Sequence, residues 1–205
     1  MKRLIPLCIF GAAISCGLLT TSCDNNARLA GQLTGVWAGT PESFTDRSAI
    51  TASIIDTFDF QPDTCVGRGC HAGPLLITGM VTTSTQVVGD NSLIEPINIS
   101  TAAHTTISGS WTVIDDDELL IRLNPATLKV SIDPRDVAVN TNPYNPEAVK
   151  TDSLAPALSA SIEAGLRHAL LSRYASMTHF DDVEIKGQLM KYELNDIDHT
   201  LTRQM

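Results

Sequence analysis

Basic residues are scarce in this chain: 14 lysines and arginines stand against 23 aspartates and glutamates over 205 residues, a formal net charge of −9. A surface this acidic repels phosphate backbones and anionic headgroups, which argues against nucleic acid and negatively charged lipid surfaces as partners. Long apolar runs are short in supply too. The stretch from Leu4 to Leu19 falls below the about 20 predominantly apolar residues that a bilayer span needs. Nucleophile elbows, phosphate-binding glycine loops and His-Glu-x-x-His pairs are absent. The chain is therefore expected not to be an enzyme, and an envelope-polymer hydrolase would need two carboxylates brought together by the fold. His104, His168, His179 and His199 are scattered, and cysteine is limited to Cys8, Cys16, Cys23, Cys65 and Cys70.

What is present begins at the amino terminus. Lys2 and Arg3 precede the apolar run, and small polar residues follow it up to Cys23, the pattern of a secretory signal. Thr21 and Ser22 ahead of Cys23 make this junction resemble a bacterial lipoprotein signal. The resemblance implies a signal peptide over residues 1–22 and lipidation of Cys23 by acyl chains such as palmitate. Two or more chains anchor a protein stably where one does not. Residues 23–32, "CDNNARLAGQ", are expected to form a polar tether. The implied location is the cell envelope of a Gram-negative bacterium, lipid-anchored at the outer membrane.

In an oxidising envelope the stretch "CVGRGCH" is expected to hold a disulfide between Cys65 and Cys70, with Gly67 and Gly69 letting the loop turn back. The alternative is covalent haem, in which both cysteines attach the group and His71 is the axial ligand, with Met80, His104 or His179 as the second. No other cofactor is expected, and no metal either, because no second cysteine pair or paired-histidine motif completes a tetrahedral site.

From about Leu33 to Ile132 the chain is rich in Thr, Ile, Val and Ser. Strands are predicted at "LTGVWAGT", "AITASIIDTFDF", "PLLITGMVTTSTQVV", "PINISTAAHTTISGSWTVI" (broken near Ala103), "ELLIRL" and "TLKVSID". Partial alternation at Ile50, Ala52 and Ile54, then Phe58 and Phe60, marks half-buried antiparallel strands. The Pro/Asn-rich segment 140–152 reads as a linker. Beyond it, Leu154, Leu158, Ile162, Leu166, Leu170, Tyr174 and Met177 form an apolar stripe that predicts a helix over about 152–178, with Gly165 at a close packing contact. The tail "DDVEIKGQLMKYELND" predicts one returning strand bulged at Gly187.

Gly35-Val36-Trp37 and Gly109-Ser110-Trp111 echo one another, and both tryptophans are expected to plug a barrel. The segments "GVWAGT" and "GSWTVIDDDELLI", with the export signal and the late helix, resemble the lipocalin-like domains of Gram-negative lipoproteins. That resemblance implies a mostly β fold over residues 33–205. Its expected form is an antiparallel meander closing as a lipocalin-like barrel, with one long C-terminal helix packed on it and a final strand. It also implies a non-enzymatic role, binding a small apolar ligand or an envelope protein partner. No basic residue covering Trp37 is identifiable in the sequence.

Overall fold

The computed structural model describes residues 25–45, 51–62, 64, 71–87, 97–140 and 155–205. The signal peptide of residues 1–22, the lipidation site Cys23, the cysteine pair Cys65 and Cys70 and most of the linker lie outside the described residues.

Alternation of apolar and polar residues builds the wall. The strands are β1 (Gly35–Gly39), β2 (Glu42–Thr45), β3 (Thr51–Phe60), β4 (Ala72–Val87), β5 (Ile97–Asp115), β6 (Glu118–Leu123), β7 (Lys129–Ser131), β8 (Val137–Asn140), β9 (His179–Lys186), β10 (Leu189–Leu194) and β11 (Ile197–Arg203). Eight of them, in the ring β1-β3-β4-β5-β6-β9-β10-β11, close into an antiparallel barrel, since β1 pairs with β3 on one side and β11 on the other. β2 extends β1 along β3, while β7 and β8 extend β6 along β5. On β3 the even positions Ala52, Ile54, Phe58 and Phe60 are buried, and on β4 and β5 the odd positions Leu75, Ile77, Val81, Ala103, Ile107 and Trp111 are. Closure leaves the ring without a free edge, the feature that exposes open sheets to aggregation.

Two helices are described: α1 (Asn25–Leu33) and α2 (Ala155–Ala175). Neither is long and apolar enough to cross a membrane. The expected polar tether is corrected by α1, because Leu29 and Leu33, one turn apart, bury with Ala30 against the barrel. The expected single late helix followed by one strand is corrected as well. α2 precedes three strands, joined by two-residue turns at Gly187-Gln188 and Asn195-Asp196. Gly187, Asn195 and Asp196 take positive φ (62°, 54° and 62°), the conformation tight hairpins require. What reads as a bulged strand in the tail is a hairpin whose inward phase resets after each turn. β5 also runs unbroken through Ala103, which pairs with Val81.

α2 rests on the strand extension of β6. Glu163 accepts a 2.8 Å hydrogen bond from the Ile132 backbone N–H, and Arg167 donates to the Leu128 carbonyl. Its buried stripe is Leu166, Leu170 and Tyr174, with Leu158 and Ile162 half-buried. Gly165 makes no close contact: a Cβ built there meets nothing within 4 Å. Gly165→Ala should therefore stabilise the protein by about 0.5–1 kcal/mol, the helical preference of alanine over glycine. Urea unfolding reads this directly, and a loss of stability would restore the packing role.

Candidate functional site

Both tryptophans are fully buried. The Trp37 indole N–H donates to the Leu33 carbonyl at 2.7 Å, tying β1 to the end of α1. Arg203 on β11 lies over the Trp37 ring, its guanidinium carbon 4.2 Å from the centroid, and donates to the carbonyls of Thr34 (2.8 Å) and Gln32. This is the basic cover that the sequence did not disclose. Gly35 sits at φ +127°, and a Cβ there would come within 2.8 Å of the Arg203 guanidinium. The Trp111 indole donates to the Gln61 carbonyl at 3.1 Å. His71, directly before β4, accepts from the Val113 N–H at 2.8 Å through its carbonyl. Met80 and His104 are cross-strand partners exposed on the outer face of the wall.

The inward face of β3 carries one acid among its apolar residues: Asp56, only 4 % exposed. Gly79 pairs opposite it on β4, and Thr105 lies next across on β5. A Cβ on Gly79 would lie 3.0 Å from the Asp56 carboxylate and 2.4 Å from the Thr105 hydroxyl, so glycine makes the space the acid occupies. Tyr174 donates to Asp56 Oδ1 at 2.8 Å and Arg173 to Oδ2 at 3.0 Å, both from the last turn of α2. The same Arg173 nitrogen pairs with Glu42 on β2 at 2.8 Å, and Glu42 meets His199 Nδ1 on β11 at 2.9 Å. His199 stacks on Tyr192 (5.1 Å between centroids), and Tyr192 on Phe180 (4.0 Å). The chain of contacts thus ties α2 to β3 and β2 directly, and through them to β11, β10 and β9.

Burial raises the Asp56 pKa, and Arg173 and Tyr174 only partly offset it. Burial works against the Arg173 charge, but the adjoining carboxylates of Asp56 and Glu42 prevail and raise its pKa. Burial also raises Tyr174, reinforced by the Asp56 charge. The void over this network is about 10 Å³, room for about one water. A sugar ring does not fit, and both carboxylates are engaged by one guanidinium, so the network serves as a lock and lacks the geometry of a hydrolytic pair.

A larger space lies beside it. Ile107, Ile121 and Leu123 of the wall and Leu171, Tyr174 and Met177 at the α2 end line a cleft of about 220 Å³. Arg122 and Thr178 supply polar groups at its border. Tyr174 belongs to both places, lining the cleft with its ring and holding Asp56 with its hydroxyl. A shallow groove of about 360 Å³ crosses the outer face of β3 to β5 beside Ile55 and Met80.

The sequence pointed to Trp37 and Trp111 as barrel plugs, and both are buried in the core; it pointed to His71 as an alternative haem ligand, and His71 lies opposite Val113 and near Trp111 where β4 meets β5. The sequence missed Glu42, Asp56, Arg173 and His199. The available signal was the interruption at position 56 in an otherwise apolar inward face. Comparison with family models, curated proteins and solved structures finds no match to this chain.

Proposed function

We propose that this chain is a non-enzymatic, lipocalin-like lipoprotein, anchored by Cys23 in a Gram-negative envelope, whose cleft under α2 takes one small apolar molecule. The closed eight-strand barrel, the paired Gly-x-Trp segments and Arg203 over Trp37 support the family reading. The observation that carries the ligand reading is the cleft itself: a concave, predominantly apolar space bordered by a few polar groups, the usual form of a small-molecule site. Its volume of about 220 Å³ suits a single ring or the end of an acyl chain, since an apolar cavity of about 150 Å³ accommodates benzene.

The test is titration calorimetry with toluene, a single-ring probe of the size the cleft admits. Saturable one-to-one binding is expected in the wild type. Leu171→Trp, which fills the cleft, should weaken it at least tenfold while the far-ultraviolet circular dichroism stays unchanged. No saturable binding, or binding indifferent to Leu171→Trp, would remove the ligand reading and leave an envelope protein partner as the role of the barrel.

A further inference from the structure

Between β6 and β9 the ladder is short: the pairs Leu119↔Phe180 and Leu120↔His179 are flanked by hydrogen bonds from the Ile121 N–H to the Thr178 carbonyl and from the Val183 N–H to the Asp117 carbonyl, both 2.8 Å. At this seam three side chains from two parts of the sequence converge: Glu118 at the start of β6, and His179 and Asp181 on β9. His179 and Asp181 are two apart on a strand, so both point outward while Phe180 between them is fully buried. One ligand atom from each of the three lies within 4.8 Å of the others.

His179 Nε2 sits 3.4 Å from Asp181 Oδ1 and 3.7 Å from Glu118 Oε2. A charge-assisted hydrogen bond would be about 2.7–2.9 Å. The nitrogen is sealed from solvent yet makes no hydrogen bond to anything, a costly state for a buried polar atom. The 3.4 Å separation matches a different arrangement, and the 3.7 Å one reaches it with a shift of a few tenths of an ångström. Two ligands on a tetrahedral ion with bonds of about 2.0–2.1 Å stand about 3.3–3.4 Å apart. A bulge on β9 opposite Lys191 and Glu193, with Asp182 at φ 50°, re-aims this part of the strand. Asp115, Asp116 and Asp117 in the adjoining β5–β6 turn add negative charge that favours a cation.

We propose that Glu118, His179 and Asp181 bind a zinc-class divalent cation that staples β6 to β9. One imidazole and two carboxylates select a borderline metal over calcium, for which nitrogen is a poor ligand. Three protein ligands leave a fourth position to water. The role is structural: the ion adds a side-chain link to a short backbone ladder.

The experiment is calorimetric titration of Zn²⁺ into the detergent-solubilised full chain, repeated on His179→Gln and Asp181→Asn, with melting temperatures taken with and without the metal. All three proteins carry the same cysteines, so thiol binding cancels in the comparison. The wild type should bind one Zn²⁺ more than either variant, or bind it at least tenfold more tightly. Its melting temperature should rise with Zn²⁺, and that rise should vanish in both variants. Calcium at tenfold excess should not displace the ion. Equal stoichiometry, affinity and melting shift across the three proteins overturns the site, and displacement by calcium overturns its zinc-class character. Should His179→Gln fail to fold, Asp181→Asn carries the test, because that side chain is 46 % exposed.

Discussion

Arg173→Leu is expected to destabilise the protein by about 3–5 kcal/mol, the cost of stripping a buried charge of its partner. Asp56 is 4 % exposed and holds two donors, and without Arg173 only Tyr174 remains. Glu42 loses the same guanidinium. Asp56→Asn keeps an acceptor for Tyr174 and removes the buried charge, so its loss should stay near 1 kcal/mol, the scale of one net hydrogen bond. Because the two residues share one interaction, the double variant should be less destabilised than the sum of the singles. Urea unfolding measures all three, and an Arg173→Leu protein within 1 kcal/mol of wild type would show that the lock carries no weight.

The same network sets a pH dependence. Burial raises the folded-state pKa of Asp56 above its unfolded value, so the folded protein holds that proton more tightly. The resulting stabilisation is fully present below the unfolded pKa of about 3.9 and is lost as pH rises through the raised folded value. The stability of wild type minus that of Asp56→Asn should therefore fall with rising pH across that window. Asp133, held down at about 2 by its hydrogen bonds to Arg135, titrates in the opposite sense. It does so in both proteins and cancels. A flat difference between pH 4 and 7 would contradict the raised pKa.

Gly109→Ala is expected to cost about 3 kcal/mol, the upper part of the range for overpacking. A Cβ at this position would lie 2.2 Å from the Arg122 carbonyl oxygen and 2.8 Å from the Leu123 Cα. These are backbone atoms of the paired strand, and a strand held on both sides cannot swing away as the end of a flexible side chain does. Relief requires β5 and β6 to part where Gly109 faces Leu123. The identical change at Gly165 meets open space and should have the opposite sign. Denaturation of the two variants side by side tests the geometry with composition held constant, and a Gly109→Ala protein as stable as wild type would show that the strands have room to spare.

The legible part of the fold was local. Period-two alternation disclosed β3, a Thr/Ile/Val/Ser-rich composition disclosed β4 and β5, and the four-residue apolar stripe disclosed α2, because burial on one face writes itself into adjacent residues. α1 escaped because Leu29, Ala30 and Leu33 lie among Asn25, Asn26, Arg28 and Gln32, a composition that reads as tether until a barrel end is available to bury its one apolar face. The C-terminal hairpins escaped because the turn at Gly187-Gln188 shifts the phase of the alternation, the same mark a bulge leaves. The charged lock was half written. Ala52, Ile54, Phe58 and Phe60 form an apolar row with Asp56 in its middle, so the anomaly is visible, whereas its partners are not: Arg173 lies 117 positions away. Arg203 over Trp37 is hidden for the same reason.

The joint between β1 and β11 also fixes an order of events. Trp37 to Gly39 hydrogen-bond with Leu201 to Arg203, and Arg203 reaches Thr34 across 169 positions of sequence. The two sides of that joint come from opposite ends of the barrel sequence, so it closes only after the intervening strands are in place, the kind of long-range pairing that forms slowly. Until then β1 has no β11 to meet, and the sheet keeps two open edges of the kind that pair with other chains. Protection of every other edge of the ring thus rests on the meeting of β1 with β11.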